Sequence, residues 1–262
     1  MNNTVRFLLI TFLIAVICIC GYELWKISGQ YIHEAQVRDS IKKYRPAENT
    51  AAVETEPTAA AETPERKKIN RFITDLQNDI NKDIIGWITI PDTQIDYPFV
   101  ISKDNDFYLR RDLYGNYSTA GTLFADYRCS PDFSDFNTII YGHTMQNGSM
   151  FGGLRLFADE GFFDSNRYGT IFLKDNTYTI EFFAYMVIRA DDKVIYNNQP
   201  ASAERGEFFE YARLNALNYR APETYESDGI NKIHNIYDNV VTLSTCSYQF
   251  NNARIALLAI IN

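Results

Sequence analysis

Short apolar runs separated by turn residues dominate the chain from residue 84 onward. Turn sequences such as Pro91-Asp92, Asp175-Asn176 and Asn251-Asn252 separate runs that are rich in β-branched and aromatic residues. Runs of this length between turn signals predict β-strands. The eight predicted strands are 84–90, 97–102, 121–127, 137–142, 168–174, 177–188, 239–246 and 254–261. Eight short strands with few helices between them predict a mainly β fold, either a barrel or a sandwich.

Two further segments have the spacing of helices. Apolar residues recur at intervals of three and four before the first strand, which predicts an amphipathic helix; they are Ile69, Phe72, Ile73, Leu76 and Ile80. Residues 203–217 form a second helical pattern, whose inner face would consist of Phe208, Phe209, Ala212 and Leu217. This pattern lies within the long connection 201–238, and an insertion of this kind between two strands is more often functional than idle.

The first 25 residues have a different texture. An uncharged run of sixteen residues, 7–22, lies between Arg6 and Glu23. A membrane span usually needs about 20 residues, and snorkelling of Arg6 with an interfacial Trp25 makes up the difference. We therefore expect a single-pass membrane anchor over residues 1–25. The alternative is a cleaved signal peptide, although no small-x-small cleavage site follows the run.

The charges around this run give a conflicting orientation. One basic residue precedes it, whereas Lys26, Arg38, Lys42, Lys43 and Arg45 follow it. The positive-inside rule would therefore place the C-terminal side in the cytoplasm, but long domains are translocated largely regardless of charge.

Residues 26–66 connect the anchor to the strands. Residues 26–45 are polar and predict a stalk, and residues 48–65 are rich in Ala, Thr, Glu and Pro. Such a composition cannot bury enough apolar surface to offset the entropy of ordering, so we expect a disordered linker. The predicted organisation is an anchor over 1–25, a stalk and linker over 26–66, and a folded domain over 67–262.

Charge and cysteine content exclude several classes of function. The net charge of −8 argues against a nucleic-acid partner, which needs a basic face. No Cys-x-x-Cys or His/Cys ligand spacing occurs, so no metal site and no cofactor are expected. Outside the N-terminal run the chain has Cys129 and Cys246. They would form one disulfide in an oxidising compartment, or one is an inert core thiol and the other a nucleophile.

Three reactive side chains lie at predicted strand ends. Cys246 ends one strand, Arg254 begins the next, and His143 follows the strand 137–142. Each has an ordinary explanation by itself: a buried thiol, an arginine paired with a surface carboxylate and a structural histidine. Together they make up a nucleophile, an acid/base and an oxyanion donor.

The motifs around these residues resemble those of the class B sortases, a family of cysteine transpeptidases of Gram-positive bacteria. TLSTC at 242–246 followed by Arg254 is similar to the family's cysteine signature, and YGHTM at 141–145 is similar to its histidine segment. The resemblance extends over residues 69–261. Supporting segments are DIIGWITIPDTQIDYPFV (83–100), DNDFYLRRD (104–112), GTLFADYR (121–128) and MFGGL (150–154).

The resemblance implies a fold and a reaction. The fold is an eight-stranded sortase-type β-barrel with an N-terminal helix and a helix in the loop before the cysteine strand. Cys246 would attack a threonine carbonyl in the C-terminal sorting signal of a secreted protein and form a thioester. His143 would protonate the leaving glycine amine and later accept a proton from the incoming amine of a lipid-linked peptidoglycan precursor. Arg254 and the main-chain N–H beside the cysteine would stabilise the oxyanion.

The same resemblance places the substrate and the membrane. Residues that would line the substrate groove are Asn105, Leu109, Tyr141, Ser244 and Thr245, with the loop 201–238 supplying the rest. The N-terminus would be cytoplasmic and the catalytic domain extracellular. One position departs from the family: some relatives have an acidic residue after the cysteine, whereas Ser247 follows here, so a mechanism that needs a carboxylate at this point is in doubt.

Three other functions stay open at this point. A pilin polymerase would use the same thioester with a lysine of another subunit as the acceptor. A thiol hydrolase would use water. A non-enzymatic, wall-binding barrel would have Cys246 bonded to Cys129.

Overall fold

The structure, a computed structural model, describes residues 3–45, 70–222, 239–246 and 251–261. It divides into two units, Met1–Lys43 and Tyr44–Asn262. The predicted linker at 48–65 and the position of Ser247 lie outside the described residues, as does most of the second half of the connection 201–238.

The first unit is a single long helix. Helix α1 (Asn3–Ile41) has 39 residues and continues into a 3-10 turn, Lys42–Tyr44. It therefore covers both the predicted anchor and the predicted stalk. The most apolar 18-residue window has a mean hydropathy of 2.4, so the helix is long and apolar enough to cross a membrane. A signal sequence near an N-terminus meets the same criteria of length and hydropathy.

The second unit is a closed β-barrel. Its strands are β1 (Ile84–Thr89), β2 (Asp96–Ile101), β3 (Leu123–Ala125), β4 (Asn137–Tyr141), β5 (Tyr168–Leu173), β6 (Thr177–Arg189), β7 (Asn218–Tyr219), β8 (Val240–Cys246) and β9 (Ala253–Ile261). Their order in the sheet is β5-β1-β2-β3-β4-β8-β9-β6-β7, and β5 also pairs with β6. This pairing closes eight strands into a barrel, with the two-residue β7 on the outside of the ring. The predicted barrel and all eight predicted strands are confirmed, and the sandwich is excluded.

Helices cover and connect the strands. They are α2 (Arg71–Asp79), α3 (Glu160–Ser165) and α4 (Arg205–Asn215), with 3-10 segments at Tyr108–Arg110, Phe151–Ala158 and Ser202–Glu204. The helix predicted before the first strand is α2. Helix α4 is shorter than the predicted 203–217, because Ala216 adopts an extended conformation and ends it. The 3-10 segment Phe151–Ala158 and helix α3 were not predicted.

Strands β8 and β9 are buried on both faces. Val241 and Leu257 belong to the cluster inside the barrel, whereas Val240 and Leu258 pack in a second cluster with Phe208 of α4. Burial on both faces explains why β9 reads as a nearly continuous apolar run rather than as an alternation of polar and apolar residues. Helix α4, which lies in the connection before β8, therefore packs in the cluster on the outer face of β6, β8 and β9.

Cys129 is a free, buried thiol. Its Sγ lies 3.7 Å from the carbonyl oxygen of Asn137. Burial raises the pKa of the Cys129 thiol to about 12, so it stays protonated at neutral pH and is a poor nucleophile. Since Cys129 is free, the alternative of a Cys129–Cys246 disulfide is wrong.

Candidate active site

Strand register brings the three predicted strand ends together. Strand β4 runs parallel to β8 with Tyr141 opposite Ser244, and β8 runs antiparallel to β9 with Cys246 opposite Arg254. Directly opposed residues of an antiparallel pair have Cα atoms about 5 Å apart. The main chains of Cys246 and Arg254 are therefore neighbours. The side chain of Cys246 and residues 247–250 lie outside the described part of the chain.

Gly142 connects β4 to His143 through a crowded point. Its N–H donates to the carbonyl oxygen of Ser244 at 3.1 Å. A Cβ atom at position 142 would overlap the side chains of Leu123 and Phe151. The carbonyl of His143 then accepts from the Phe151 N–H at 2.9 Å. The backbone of His143 is thus held against β8 on one side and the 3-10 segment Phe151–Ala158 on the other.

A pocket of about 200 Å³ lies at these strand ends. His143 and Arg254 both line it, together with all five residues that the resemblance assigned to the substrate groove: Asn105, Leu109, Tyr141, Ser244 and Thr245. Phe124, Gly142, Ala190 and Tyr196 also line the pocket, and sequence reasoning did not single them out. Of the eight predicted site residues, seven surround one cavity, and the main chain of the eighth lies opposite Arg254.

The imidazole of His143 is half-buried and bonded to the main chain. Its Nε2 lies 2.6 Å from the carbonyl oxygen of Leu109. A carbonyl can only accept, so Nε2 carries a proton and Nδ1 is the ring nitrogen left to exchange one. Burial lowers the pKa of His143; the bond to Leu109 opposes this shift, and the charge of Arg110 adds to it. The free site therefore contains a neutral imidazole at neutral pH.

The Leu109 carbonyl is positioned by a tight turn. Leu109 lies in the 3-10 segment Tyr108–Arg110, whose Tyr108 hydroxyl donates to Asp83 at 2.8 Å. Gly121 packs behind this turn with a φ of +62°, and a Cβ atom there would lie 2.6 Å from the Leu109 oxygen. Only glycine combines this left-handed conformation with such a close approach. Gly121 therefore allows the turn to hold the acceptor for His143.

Arg254 brings a positive charge to the pocket. Its Nη1 donates to the carbonyl oxygen of Ala253 at 3.1 Å. Within the described ranges no carboxylate forms an ion pair with Arg254, and no Asp or Glu among them lines the pocket. The planar fork of the guanidinium suits a carbonyl oxygen or an oxyanion of a ligand in the pocket.

Hydroxyl groups complete the polar lining. The hydroxyl groups of Tyr196 and Ser244 are 2.8 Å apart and hydrogen-bonded. Thr245 Oγ1 is buried and has no hydrogen-bond partner among the described residues. Buried polar groups are nearly always hydrogen-bonded, so this hydroxyl is suited to contact a ligand in the pocket.

Tyr196 is one of the pocket residues that no sequence motif indicated. It lies in the loop between β6 and α4, which Asn137 of β4 fastens to the barrel. The Asn137 side-chain amide donates to the carbonyl oxygens of Ile195 at 2.8 Å and Asn197 at 3.2 Å, while its oxygen accepts from Thr242 at 2.8 Å. This clamp fixes the position of Tyr196 over Ser244.

Known proteins resemble this chain in sequence and in fold. No protein-family model matches the sequence. Sortase B of Listeria monocytogenes is 34% identical over 222 residues, which cover 85% of this chain and 82% of the relative. The crystal structure of sortase B from B. anthracis in complex with AAEK1 is 30% identical, with a TM-score of 0.68 and coverage of 88% of this chain and 97% of that chain.

A third similar protein takes part in pilus biogenesis. A Streptococcus pyogenes class B sortase involved in pilus biogenesis is 29% identical, with a TM-score of 0.62, and the match covers 72% of this chain and 97% of that chain. Similarity of this extent, on a shared closed barrel, goes well beyond a common motif. The chain belongs to the class B sortases and is a sortase transpeptidase.

Proposed function

We propose that this sortase cleaves the C-terminal sorting signal of secreted proteins after a threonine, through a thioester on Cys246, and joins the product to an amine of a peptidoglycan precursor. The observation that carries this proposal is that His143 and Arg254 line one pocket at the strand end where Cys246 lies opposite Arg254. Acyl transfer through a thioester needs an acid/base, a cation and a thiol, and the pocket provides the first two beside the strand end that carries the cysteine.

In the first half-reaction the Cys246 sulfur attacks the threonine carbonyl carbon. The thiol proton passes to Nδ1 of His143, because Nε2 is bonded to the Leu109 carbonyl. Arg254 stabilises the oxyanion that forms on the former carbonyl oxygen. The C–N bond to the next residue then breaks, and the imidazolium gives its proton to the leaving amine. The acyl group remains on sulfur as a thioester.

In the second half-reaction the incoming amine attacks the thioester carbon. His143 removes the proton from this amine, and the oxyanion again forms beside Arg254. The C–S bond breaks, the sulfur takes the proton back, and a new amide bond joins the two substrates. No carboxylate is needed in this scheme, which fits a site whose described lining lacks Asp and Glu.

The residues proposed to bind the sorting signal are Asn105, Leu109, Tyr141, Ser244 and Thr245. Two features support this role: all five line the pocket, and Thr245 Oγ1 is buried without a partner among the described residues. A substrate peptide that lies in the pocket would supply that partner and would pack on Leu109.

Helix α1 is proposed as a single-pass anchor in the cell membrane, with its N-terminus in the cytoplasm and the catalytic domain outside. Its length supports this: 39 residues at 1.5 Å each make about 58 Å, while the hydrocarbon core is about 30 Å thick. The polar part can then extend beyond the membrane. Protease treatment of intact cells, with and without permeabilisation, should cleave the catalytic domain in both cases.

Polymerisation of pilin subunits is the second candidate. The Streptococcus pyogenes relative is involved in pilus biogenesis, and that reaction differs only in the acceptor amine. The two are separated by offering the acyl-enzyme a peptidoglycan-precursor amine and a lysine-containing pilin peptide together. The product that carries the acyl group identifies the acceptor.

Trapping the acyl-enzyme tests the core of the proposal. The full chain in detergent micelles is incubated with secreted proteins from a matched culture, without an amine donor, and the Cys246 peptide is analysed by mass spectrometry. We expect a thioester adduct that ends in threonine, retained in Cys129→Ala and absent from Cys246→Ala. An adduct that survives the loss of Cys246 would contradict the proposal.

Amine dependence separates transpeptidation from hydrolysis. With a peptide built on the trapped sequence, added amine should divert the acyl group from free acid to the new amide and raise the rate of thioester breakdown. Free acid as the sole product at every amine concentration would show a thiol hydrolase instead.

A further inference from the structure

A buried carboxylate lies directly behind the pocket. Asp126 follows the last residue of β3, and its side chain is 1% exposed. It does not line the pocket itself. A carboxylate in this position costs desolvation energy unless it is paired and hydrogen-bonded, so its partners show what holds it there.

Arg128 supplies the compensating charge. Arg128 Nε and main-chain N–H donate to Oδ1 of Asp126 at 2.8 and 3.0 Å, and Nη2 donates to Oδ2 at 2.8 Å. Burial works to raise the pKa of Asp126, but the hydrogen bonds and charge of Arg128 together lower it. Asp126 is therefore ionised at neutral pH, and both of its oxygens can only accept hydrogen bonds.

Two pocket residues donate to the same oxygen. Asn105 Nδ2 and the Tyr141 hydroxyl each lie 3.1 Å from Asp126 Oδ2. The other end of the Asn105 amide, Oδ1, accepts from the Tyr127 N–H at 3.0 Å. Both donors are thus fixed in direction. The second hydrogen of Asn105 Nδ2 and the lone pairs of the Tyr141 oxygen are the groups left for a ligand.

The ion pair also reaches the other side of the pocket. Arg128 Nη2 donates to the carbonyl oxygen of Tyr196 at 3.3 Å, and the Tyr196 hydroxyl is bonded to Ser244. One buried pair therefore connects the segment around residue 105, the end of β4 and the loop after β6. Side chains at a functional site keep their orientation when such supporting hydrogen bonds lock them.

We infer that Asp126 is a positioning residue for substrate binding. It orients the Asn105 amide to donate a hydrogen bond to a main-chain carbonyl of an extended peptide in the pocket. It orients the Tyr141 oxygen to accept a hydrogen bond from a main-chain N–H of the same peptide. An N–H donor beside an oxygen acceptor matches the C=O and N–H groups of a peptide backbone, so this wall recognises the backbone rather than one side chain. The inference rests on the proposed function, in which the pocket holds the sorting peptide.

Asp126→Asn in the full chain, in detergent micelles, tests the inference. The amide removes the charge and supplies a donor where Asn105 and Tyr141 need an acceptor. With the peptide built on the sequence released from the Cys246 thioester, KM should rise about tenfold, the loss expected for a misplaced hydrogen bond, while kcat stays within about twofold because Cys246, His143 and Arg254 are untouched.

Glu181→Gln is the matched control. Glu181 is also 1% exposed, and it is paired with Arg167 through two hydrogen bonds of 3.0 and 2.6 Å, but neither residue lines the pocket. It should lower the thermal stability as Asp126→Asn does and leave KM unchanged. Equal KM values in both variants and wild type would overturn the inference, as would a fall in kcat alone in Asp126→Asn.

A double-mutant cycle with Tyr141→Phe tests whether Asp126 acts through Tyr141. The Tyr141 hydroxyl should matter less once its partner is gone. The rise in KM of the double variant should therefore be smaller than the product of the rises in the two single variants. A rise equal to that product, both in this cycle and in the equivalent one with Asn105→Ala, would contradict the inference.

If Asp126→Asn does not fold, Arg128→Lys replaces it. Arg128 is 42% exposed, and a lysine ammonium cannot reproduce the fork on Asp126. A smaller rise in KM is expected, and an unchanged KM would overturn the inference. Wild-type enzyme that does not turn over this peptide would instead contradict the proposed function, and the inference would fall with it.

Discussion

The two walls of the pocket are built in different ways. The strand wall consists of Tyr141, His143, Ser244, Thr245 and Arg254, which lie at or beside the ends of β4, β8 and β9. The loop wall consists of Asn105, Leu109, Ala190 and Tyr196, which lie between strands. Main-chain pairing in the barrel sets the first wall, whereas the second is held by hydrogen bonds to Asp126, Asn137 and the turn at Gly121.

This difference separates the reaction from recognition. The residues proposed for bond making are placed by strand register, and moving them requires the barrel itself to move. Most of the loop wall depends on a few polar contacts that can be changed one at a time. Substitutions of His143 and Arg254 should therefore act on kcat, whereas substitutions behind the loop wall should act first on KM or on a single contact.

The largest effect is expected for the nucleophile. Cys246→Ala should abolish acyl-enzyme formation and lower turnover by about 10⁴-fold or more, as for the loss of other nucleophiles. Cys129→Ala is the control, since it makes the same Cys-to-Ala change at a buried thiol. It should lower the stability and leave the turnover unchanged. The measurement is steady-state turnover with thermal unfolding in parallel. Comparable turnover in the two variants would remove Cys246 from the mechanism.

Next in size is Arg254→Lys. The lysine keeps the charge but not the planar fork, so kcat should fall by about 10²–10³-fold, as for the loss of one oxyanion donor. Arg189→Lys is the control, since Arg189 is paired with Asp191 on an exposed surface and should be neutral. Wild-type kcat in Arg254→Lys would show that the strand wall does not stabilise the oxyanion.

Gly121→Ala tests the connection between the two walls. The methyl group would push on the Leu109 carbonyl that binds His143, so kcat should fall by about tenfold to a hundredfold. Gly115→Ala is matched in backbone strain, since Gly115 has a φ of +82°, but nothing lies within 4 Å of its Cβ position. Each variant should lose about 1–2 kcal/mol of stability for the left-handed alanine. An equal kcat in the two variants would show that the turn at Gly121 does not affect catalysis by His143.

A smaller effect is expected for Tyr196→Phe. The variant keeps the ring but leaves Ser244 Oγ without the partner at 2.8 Å. An unsatisfied buried hydroxyl costs about 1–3 kcal/mol, which should appear in urea unfolding, with at most a severalfold rise in KM. A large fall in kcat would mean that the loop wall takes part in the chemical step.

The smallest effect concerns pH. Burial lowers the pKa of His143 below its ordinary value of 6.5. As the pH falls below about 6.5, the unfolded chain gains a proton that the folded protein does not bind, so the free energy of unfolding should decline. His143→Gln should show a shallower decline between pH 7 and pH 5. Parallel curves for the two proteins would mean that the pKa of His143 is the same in both states.

The sequence predicted the strand wall better than the loop wall. Strands and turns are local signals, and the pairing of Cys246 with Arg254 follows from two adjacent strands joined by a short connection. The motif resemblance supplied Asn105 and Leu109 as well. No local pattern could show that the Leu109 carbonyl faces His143, because every residue has a main-chain carbonyl and the residue type does not indicate which one accepts a hydrogen bond.

Hydrogen bonds between polar residues on different strands and loops were not predicted, for a similar reason. Asp126 and Tyr141 meet across the pairing of β3 with β4, and Tyr196 meets Ser244 only once β8 has joined the sheet. Helix α3 was also missed, because six residues are too few to establish a helical period. The buried Asp126 behind the pocket wall also had no local signal, and its proposed role is to orient Asn105 and Tyr141 rather than to transfer a proton.

The parallel pairing of β4 with β8 has a consequence for the order of folding. It joins Asn137 to Val240 and Tyr141 to Ser244, roughly 100 positions apart in the chain, and contacts of such separation form late because a long loop must first close. A nascent chain that has emerged only as far as β6 already contains His143 but no pocket. Transfer activity should therefore appear in a single step, when β8 and β9 enter the barrel. A partly synthesised chain that ends before β8 cannot form the thioester, because it lacks both the pocket and Cys246.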